Sequence, residues 1–488
     1  MAPNIANQHE VKLQRMTKWP DCTPWRHFMS QISRESQALK DLKQEALVHY
    51  SQDLGCPDKD ATPLNSVNHH FTVERVKAAL ELLNQDASSG LDGMEVQEYK
   101  KRCDPKELVT RVRSGRYRPK ASRVVLIHKE GGTFRTLAIP CVEDRVVQGV
   151  WLLIIETVFE REFLDCSYGY RPDRNCHQAL SEIAHEIGTR KNIVVLDADF
   201  KAYFDSVPHG LLMSFLKMYI KDPVFLKFCE RTLRASLTRN GNGRRTCNGI
   251  PQGGVISPLF SNLFAHRVLD LFFERHVLPK LEGWGRLFRY ADDFVVLTES
   301  QADAELARTL IEKHAAQHGL TLHPEKTVIR NMTSPELQPL ADTNDHRELV
   351  FLGYELSWQQ TAKAKWEVVG RTAPDRRAKA IERWKAHLDV LKANLRQTKQ
   401  SHRRQVSLTF IEKLNFSIEA HIRGFAQYYC AEGNEAEIFL YEQAVFRSAA
   451  AFWRLHIDSK GSNPYEGDAD RIWHTIRTRK MTELSIKS

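Results

Sequence analysis

The sequence predicts a mixed α+β protein that is divided into several subdomains. With 488 residues, the chain is too long to be built around one ordinary hydrophobic core. Short runs of strand-forming residues occur between segments in which apolar residues recur at helical spacing. The hydrophobic content of 42% is sufficient to form the cores of such a protein.

These two patterns place the elements along the chain. Residues 1–70 are polar and mixed, and they carry no pattern that indicates a function. The predicted helices cover residues 73–83, 257–275 and 381–395. The predicted strands cover residues 124–127, 136–139 and 193–196, followed by a strand–turn–strand over residues 287–297. Gly131 and Gly132 suit the turn of a hairpin between the first two strands.

The composition indicates a soluble, cytoplasmic protein. The chain has 70 Lys+Arg against 61 Asp+Glu, and its net charge of +9 favours a polyanionic partner. Its nine cysteines are scattered and include no C-x-x-C pair, which argues against a disulfide framework and against a structural zinc site. No signal peptide is expected, and the apolar run at 150–155 is too short to cross a bilayer.

Two adjacent carboxylates, Asp292 and Asp293, are predicted at the tip of the strand–turn–strand. Like charges that are held together in a low-dielectric environment disfavour each other's ionisation. A divalent cation reverses this cost, so the pair indicates a metal site. Taken alone, the four residues 290–293 fit an exposed Asp-Asp turn equally well.

A second acidic cluster follows the predicted strand at 193–196. Asp197 and Asp199 are two residues apart, so their side chains can share one face of the strand. Asp199 can then face the Asp292–Asp293 turn from a neighbouring strand. Three carboxylates that converge in this way suit two Mg²⁺ ions about 4 Å apart, which clamp the attacking and leaving oxygens of an in-line displacement. Asp197 is alternatively a plain strand-edge residue.

A glycine pair followed by a helix start forms the third motif. Gly253 and Gly254 allow the backbone to approach a base or a phosphate closely. Ser257 and Pro258 then suit the N-cap and first position of a helix. By itself this pattern indicates only a good helix start.

In combination, the motifs resemble the reverse transcriptases that are encoded by bacterial group II introns and their relatives. The ordered matches are at 89–93, 115–119, 128–135, 139–140, 144–148, 167–172, 197–205, 251–254, 290–293, 319–327, 351–354, 414–416 and 422–429. The resemblance implies a right-hand polymerase, in which a small antiparallel palm sheet packs on helices and the thumb is helical. The implied domains are an N-terminal extension (1–70), fingers (71–175), a palm with some finger elements (176–360), a basic thumb or maturase-like domain (361–430) and a tail (431–488).

The resemblance also implies roles for individual residues. Asp199, Asp292 and Asp293 would hold two Mg²⁺ ions, with Mn²⁺ as a substitute. Phe204 would be a steric gate beneath the incoming sugar, where its ring excludes a 2′-hydroxyl and so favours dNTPs. The other implied nucleotide-binding residues are Lys129 and Arg135 on the triphosphate, Gln252 in the nucleotide pocket and Lys326 beside the departing pyrophosphate.

A basic stretch lies in the implied thumb. Residues 361–430 hold 15 Lys+Arg against 6 Asp+Glu, a surplus of nine that equals the net charge of the whole chain. Five cations form a stripe beside an apolar helical face, namely Lys385, Lys392, Arg396, Lys399 and Arg403. Such a run is usually a solvated helix surface. Beside a polymerase site, it becomes a candidate track for a phosphate backbone.

The implied activity is RNA-directed DNA polymerisation, with an RNA template, dNTP substrates and an RNA–DNA duplex as product. The biological role stays open between intron maturation with retrohoming, on an intron RNA, and a domesticated role in antiphage defence or repair, on a dedicated non-coding RNA. An RNA-binding splicing cofactor with a vestigial polymerase site is the alternative from a different class. Phe204 and the Tyr-Ala-Asp-Asp turn at 290–293 argue against an RNA-dependent RNA polymerase.

The sequence departs from the full family pattern after the thumb. The tail at 431–488 has 8 Lys+Arg and 9 Asp+Glu and no paired cysteines, so no His-Asn-His endonuclease domain is expected. Phe425 occupies a position that is usually Trp in the family, which weakens the expectation of splicing activity. The primer stays open between a DNA end, an RNA 2′-hydroxyl and a protein hydroxyl such as that of Tyr441.

Overall fold

The computed structural model describes most of residues 64–397 and isolated positions beyond them. The gaps before residue 397 are 86, 129–133, 191, 236, 240–241, 245–247, 339–346 and 362–364. The described residues beyond it are 417–418, 421–422, 425, 428, 440–441, 444–445 and 447–449. The described residues up to 370 belong to one compact unit, and those from 371 belong to a second.

Helices and short strands alternate through the described residues. The strands are β1 (Ser122–His128), β2 (Phe134–Ile139), β3 (Val194–Asp199), β4 (Leu237–Arg239), β5 (Asn242–Arg244), β6 (Gly285–Tyr290), β7 (Asp293–Thr298), β8 (Val328–Asn331), β9 (Glu348–Phe351), β10 (Tyr354–Gln360) and β11 (Trp366–Thr372). The helices are α1 (Val73–Leu82), α2 (Val96–Arg102), α3 (Pro105–Arg113), α4 (Val142–Glu160), α5 (Cys176–Thr189), α6 (Tyr203–Ser206), α7 (His209–Tyr219), α8 (Pro223–Leu233), α9 (Ser257–Ala265), α10 (Gln301–Gln317) and α11 (Pro374–Gln397).

A four-stranded antiparallel sheet in the order β6-β7-β3-β8 carries the acidic motifs. Its inner strands are apolar on both faces, as expected of strands that are covered on both sides, and residues 294–298 of β7 are all buried. Helix α10 packs against β3 and β7, and helix α5 packs against β6. The predicted strands at 193–196 and 287–297 are confirmed in this sheet.

The predicted hairpin at 124–139 belongs to a second sheet with the order β2-β1-β4-β5. Strands β1 and β2 pair antiparallel from Arg123 opposite Ile139 to His128 opposite Phe134. The hairpin turn, with Gly131 and Gly132, lies outside the described residues. β1 also pairs with β4 in parallel, so this sheet is mixed. A third sheet has the order β11-β10-β9.

Helix α4 forms the centre of the main hydrophobic core. It is apolar around almost its whole circumference and is buried along nearly its full length, as expected of a core helix. Trp151 is fully buried on α4, and its ring lies 5.2 Å from that of Phe71 and 5.0 Å from that of Phe225. This aromatic cluster joins α4 to the segment before α1 and to α8.

The helix predicted over 257–275 is regular only in its first half. α9 ends at Ala265, and the chain continues through two π-helical turns, His266–Asp270 and Phe273–Val277. Apolar periodicity cannot distinguish a π turn from an α turn over so few residues, because the two differ by about one residue per turn. The π turns shift the side chains that follow α9, including Asp270.

In the second unit, α11 confirms the predicted helix and its apolar face. Trp384 is fully buried, and its indole Nε1 donates to Ser448 Oγ at 3.1 Å. Leu388 is also buried, whereas Lys385 is exposed. The rings of Phe425 and Tyr441 stack with their centroids 4.0 Å apart, and Tyr441 is 2% exposed. The Tyr441 hydroxyl is therefore packed inside this unit and is not presented as a primer.

The α+β class and the small antiparallel sheets are thus as predicted. The domain boundaries that the resemblance implies stay predictions.

A pH-dependent stability is expected from the buried carboxylate of Asp144 at the start of α4. Burial raises its pKa to about 6, although the Tyr117 hydroxyl donates to it at 2.5 Å. The folded pKa lies above the unfolded value of 3.8, so the protonated carboxyl group makes its full contribution to the free energy of unfolding below pH 3.8. This contribution is lost as pH rises through 6. Asp144→Asn is expected to remove about 2 kcal/mol of the pH dependence between pH 4.5 and pH 7.5.

The check is the free energy of unfolding in urea at pH 4.5 and pH 7.5, for both proteins. An identical pH slope in the two would contradict the prediction.

Candidate active site

The turn between β6 and β7 places two carboxylates at one edge of the central sheet. Tyr290 pairs with Asp293 across this turn, and Ala291 and Asp292 connect them. Ala291 has φ = 59°, a left-handed conformation that L-residues other than glycine rarely adopt. On the neighbouring strand, Asp199 lies directly opposite Asp293 in the antiparallel register of β3 and β7. The register therefore brings Asp199 and the Asp292–Asp293 turn to one edge of the sheet, and the metal-binding role of the three carboxylates stays a prediction.

Proximity and burial shift the titration of two of these carboxylates. Burial and then repulsion from Asp292 and Asp199 raise the pKa of Asp293 to about 7. Burial and then Asp199 raise the pKa of Asp292 as well. Part of the Asp293 residue stays exposed to solvent, although burial is the first cause of its raised pKa.

Lys326 supplies the positive charge that contacts this acidic group directly. Its Nζ lies 2.5 Å from Asp199 Oδ2, and this hydrogen bond raises the pKa of Lys326. The loop that carries the lysine is attached to the end of β3, because the His323 amide donates to the carbonyl of Asp199 at 2.8 Å. The predicted nucleotide-binding residue Lys326 thus lies beside the carboxylates.

Asp197 adds a fourth carboxylate on the same face of β3. Burial raises its pKa to about 6, and Arg330 Nε lies 3.8 Å from Asp197 Oδ2. This placement agrees with the shared strand face that the sequence predicted for Asp197 and Asp199. Each of the two carboxylates on β3 thus has a basic neighbour, Lys326 for Asp199 and Arg330 for Asp197.

Phe204 lies on the short helix α6, directly after the acidic strand. Its side chain is partly buried, and its ring meets that of Tyr203 edge to face, with the centroids 5.8 Å apart. The Ile250 amide donates to the Phe204 carbonyl at 2.6 Å. Gly249 packs closely against the same backbone with φ = 96°. A Cβ at this position would lie only 3.3 Å from the Phe204 carbonyl oxygen. α6 and the loop before α9 therefore form one packed unit.

Gln252 lies in that loop, which is fixed between two elements. Its carbonyl accepts from the Ala138 amide of β2 at 2.6 Å, and its side chain is partly buried. Gln148 Oε1 of α4 accepts from the Val255 amide at 2.7 Å and so satisfies a donor at the start of α9. The loop is therefore attached by hydrogen bonds to β2 on one side and to α4 on the other.

Substitution of Gly253 is expected to disturb this loop. Gly253 has φ = 118°, and a Cβ at this position would lie 2.5 Å from the Ala138 carbonyl oxygen. Gly253→Ala is therefore expected to cost about 1–3 kcal/mol of unfolding free energy and to raise the KM for dNTP.

Gly210→Ala is the matched control, because a Cβ there meets nothing within 4 Å. Urea unfolding and steady-state kinetics of both variants provide the test. Equal behaviour of the two variants would show that the loop tolerates the methyl group.

The remaining predicted site residues are described only in part. Arg135 is exposed on β2. Its positive charge opposes the rise in the pKa of Asp292, so the two side chains interact electrostatically. Lys129, Lys399 and Arg403 lie outside the described residues. Lys392 and Arg396 lie on α11, but their side chains are not described. Lys385 is exposed on the same helix.

The carboxylates fit a hard divalent cation. Asp199, Asp292 and Asp293 offer oxygen donors of the kind that Mg²⁺ prefers, and a cation would relieve the repulsion between them. Within the described residues, no three His, Cys, Asp or Glu side chains already converge as closely as a bound ion requires. In polymerase sites Mg²⁺ is held by one or two carboxylates together with substrate phosphates, so a bound nucleotide would complete such a shell.

Comparison with known proteins identifies the family. Residues 127–356 match the family described as reverse transcriptase (RNA-dependent DNA polymerase). The chain is 31% identical to protein YkfC of Escherichia coli over 299 residues, which are 54% of this chain and 74% of YkfC. The chain belongs to the reverse transcriptase family. The predicted enzyme class, RNA-directed DNA polymerase, is confirmed by this membership.

Further relatives of this reverse transcriptase are intron-encoded proteins. It is 34% identical to the group II intron-encoded protein LtrA of Lactococcus lactis over 168 residues, which are 34% of this chain and 28% of LtrA. It is 28% identical to a putative COX1/OXI3 intron 1 protein of Saccharomyces cerevisiae over 225 residues, which are 46% of this chain and 26% of that protein. These matches confirm the predicted group II intron-like lineage.

Two residues that position the site were missed from the sequence. Gln148 caps the start of α9, and Arg289 lies fully buried in β6, two residues before the left-handed Ala291. For Arg289 a signal was present, since an arginine within an apolar strand is rarely buried without partners. For Gln148 no local pattern indicated its contact, because its partner lies 107 residues later in the chain.

Among the described residues, no helix is both long enough and apolar enough to cross a membrane.

Proposed function

We propose that this reverse transcriptase copies RNA into DNA by two-metal nucleotidyl transfer. The observation that carries the proposal is the register that sets Asp199 opposite Asp293, with Asp292 beside it in the turn. The family relationship supports the same chemistry. Asp199, Asp292 and Asp293 would hold two Mg²⁺ ions, or Mn²⁺ as a substitute. When bound, the ions activate the primer 3′-hydroxyl and neutralise charge on the triphosphate.

Basic side chains complete the electrostatics of the cleft. Lys326 is 60% exposed while it contacts Asp199, so its ammonium group can move from that carboxylate to a phosphate group. Arg135 acts from the exposed edge of β2 on the triphosphate, and Lys129 would act beside it. These charges lie where negative charge gathers on the departing pyrophosphate, which is where preorganised cations lower a barrier most.

Phe204 and Gln252 shape the sugar and base side of the pocket in this proposal. The Phe204 ring meets that of Tyr203 edge to face, and the Ile250 amide fixes the Phe204 backbone through its carbonyl. A fixed ring can exclude a 2′-hydroxyl by contact, which is discrimination through a clash with the wrong substrate. Gln252 follows two residues after Ile250 and lines the same pocket.

The right-hand architecture follows from the same proposal. The central sheet would be the palm, the first sheet with its β1–β2 hairpin would belong to the fingers, and the second unit with α11 would be the thumb. The exposed Lys385 and the cations that follow it would contact the phosphate backbone of an RNA–DNA duplex.

The template is proposed to be an RNA of the protein's own genetic element. It would be an intron RNA if the gene lies within a group II intron, and a dedicated structured RNA if the gene is free-standing and serves antiviral defence. Polymerase activity is favoured over a pure splicing cofactor, because all three carboxylates, Lys326 and Phe204 are present, with Asp199 opposite Asp293 and Lys326 in contact with Asp199. The flanking DNA of the gene separates the two biological roles.

The test is primer extension by the full chain on an RNA template with Mg²⁺ and either dNTPs or rNTPs. We expect DNA synthesis with dNTPs, slower extension with rNTPs, and loss of synthesis on addition of EDTA. Asp292→Ala/Asp293→Ala serves as the inactive variant. Extension with rNTPs alone would overturn the substrate assignment. Absence of synthesis on all templates, including RNA co-purified from the host, would favour the splicing-cofactor function.

A further inference from the structure

A completely buried guanidinium lies beneath the catalytic turn. Arg289 is 0% exposed, although it is the residue before Tyr290 on the strand that leads into the turn. A guanidinium has five N–H donors. In Arg289 all five are used by four partners: Asp270 accepts at 2.7 Å from Nε and at 2.6 Å from Nη2, Ser167 Oγ accepts at 2.7 Å from Nη2, and Asn262 Oδ1 and the Ala291 carbonyl each accept at 3.0 Å from Nη1.

The four partners come from four separate segments of the chain. Ser167 belongs to the loop after α4, Asn262 to α9 and Asp270 to the first π-helical turn, whereas Ala291 belongs to the catalytic turn itself. Asn262 Nδ2 also donates to the Gly169 carbonyl at 2.7 Å. Arg289 therefore connects the turn to the loop after α4, to α9 and to the π-helical turn.

The loop that contains Ser167 also contacts the turn through its backbone. The Tyr168 amide donates to the Arg289 carbonyl at 2.8 Å, and the Arg289 amide donates to the Cys166 carbonyl at 2.7 Å. A Cβ on Gly169 would lie 2.5 Å from the Ala291 nitrogen. Only glycine allows the loop to lie so close to the turn.

Stability alone does not account for this arrangement. A buried ion pair contributes little net stability, because removing both charges from water costs about as much as their attraction returns. An apolar pair of similar size usually serves equally well. The planar guanidinium donates hydrogen bonds in fixed directions, which an apolar side chain cannot do. One of these bonds goes to the carbonyl of Ala291, the residue with the left-handed backbone.

The left-handed turn needs such support. Ala291 at φ = 59° is strained by about 1–2 kcal/mol relative to ordinary backbone. Its carbonyl accepts from Arg289, and the next residue is Asp292. If the carbonyl were released, the turn could relax and both carboxylates would move.

We propose that Arg289 is the positioning residue of the catalytic turn, acting through the Ala291 carbonyl and through its anchors Asp270, Asn262 and Ser167. This inference rests on the proposed polymerase function of the turn. Arg289 contacts no substrate in this scheme. Its effect is to hold Asp292 and Asp293 at the place and angle that a divalent cation and the nucleotide require.

The experiment compares three variants of the full chain. Arg289→Lys keeps the charge but loses the planar fork. Arg289→Met/Asp270→Leu removes the buried charges together, so that neither is left unpaired. Arg286→Gln is the matched control on the same strand, where the arginine is partly exposed and pairs with Glu182 and Glu186.

Three quantities are measured for each variant: the thermal midpoint, the affinity for Mn²⁺ by electron paramagnetic resonance, and kcat and KM for dTTP on poly(rA)/oligo(dT). In Arg289→Lys we expect kcat to fall about 100-fold, as for a misplacement near 1 Å, and Mn²⁺ affinity to fall about tenfold. In the double variant we expect kcat and Mn²⁺ affinity to stay low at temperatures below its thermal midpoint, because the Ala291 carbonyl and Asn262 Oδ1 have lost their donor. The control should match the unsubstituted protein.

Recovery of kcat and Mn²⁺ affinity in the double variant would overturn the proposal, because the pair would then matter only for folding. Unchanged Mn²⁺ affinity in Arg289→Lys would also overturn it. The Mn²⁺ measurement does not depend on polymerisation. If the unsubstituted protein binds Mn²⁺ but makes no DNA, weaker binding in the Arg289 variants still supports the positioning role, and only the proposed function fails.

Discussion

Replacing Asp293 with asparagine is expected to abolish DNA synthesis and, at the same time, to raise the thermal midpoint of the metal-free protein at pH 8. Burial, and then repulsion from Asp292 and Asp199, raise the pKa of the Asp293 carboxylate to about 7. The neutral amide removes this repulsion, so the fold gains stability. The amide is also a poor ligand for Mg²⁺, so kcat should fall by about 10³-fold or more. On the proposed two-metal function, the two effects have opposite signs because the same carboxylate that destabilises the empty site would bind the cation.

The measurements are differential scanning fluorimetry with and without Mg²⁺, and primer extension on an RNA template. Asp165→Asn is the matched control, because that carboxylate is 91% exposed and pairs only with Arg174. It should change neither quantity. We also expect Mg²⁺ to raise the thermal midpoint of the unsubstituted protein and not that of Asp293→Asn. Retained DNA synthesis in Asp293→Asn would remove Asp293 from the catalytic group.

Replacing Phe204 with valine is expected to let the enzyme accept ribonucleotides. A ring forced against a 2′-hydroxyl costs about 1–3 kcal/mol, as overpacking generally does, which corresponds to a discrimination of about 5- to 150-fold. The shorter side chain leaves room for the hydroxyl. The ratio of kcat/KM for dTTP to that for UTP should therefore fall by this factor, mainly through faster use of UTP.

The control for this prediction is Phe215→Val on α7. Phe215 is also partly buried, and its ring lies 5.7 Å from that of Phe264, so a comparable amount of aromatic packing is lost while the proposed gate residue is kept. Single-nucleotide incorporation with dTTP and with UTP provides the ratio for each variant. Discrimination that is unchanged in Phe204→Val, or changed equally in both variants, would refute the gate.

The candidate site shows how far local patterns carry a prediction. Asp292 and Asp293 were predicted from an acidic pair within an apolar strand–turn–strand, and Asp199 from its place at the end of a buried strand. Strand alternation is a local property, so it predicted correctly that these side chains share one edge of a sheet. The π-helical turns after α9 were not predicted, because apolar spacing does not record one additional residue per turn.

The sequence by itself determined the α+β class, the order of the motifs and the residue types that are proposed to bind cations and nucleotides. Only the tertiary structure decided how these residues are held. Arg289 meets Ser167 across 122 residues, Gln148 meets the start of α9 across 107, and Lys326 meets Asp199 across 127. A hydrogen bond depends on distance and direction in space, and neither is recorded by the spacing of residues along the chain. The positions of the catalytic carboxylates therefore depend on contacts that become visible only when the strands, the helices and the turn are placed together.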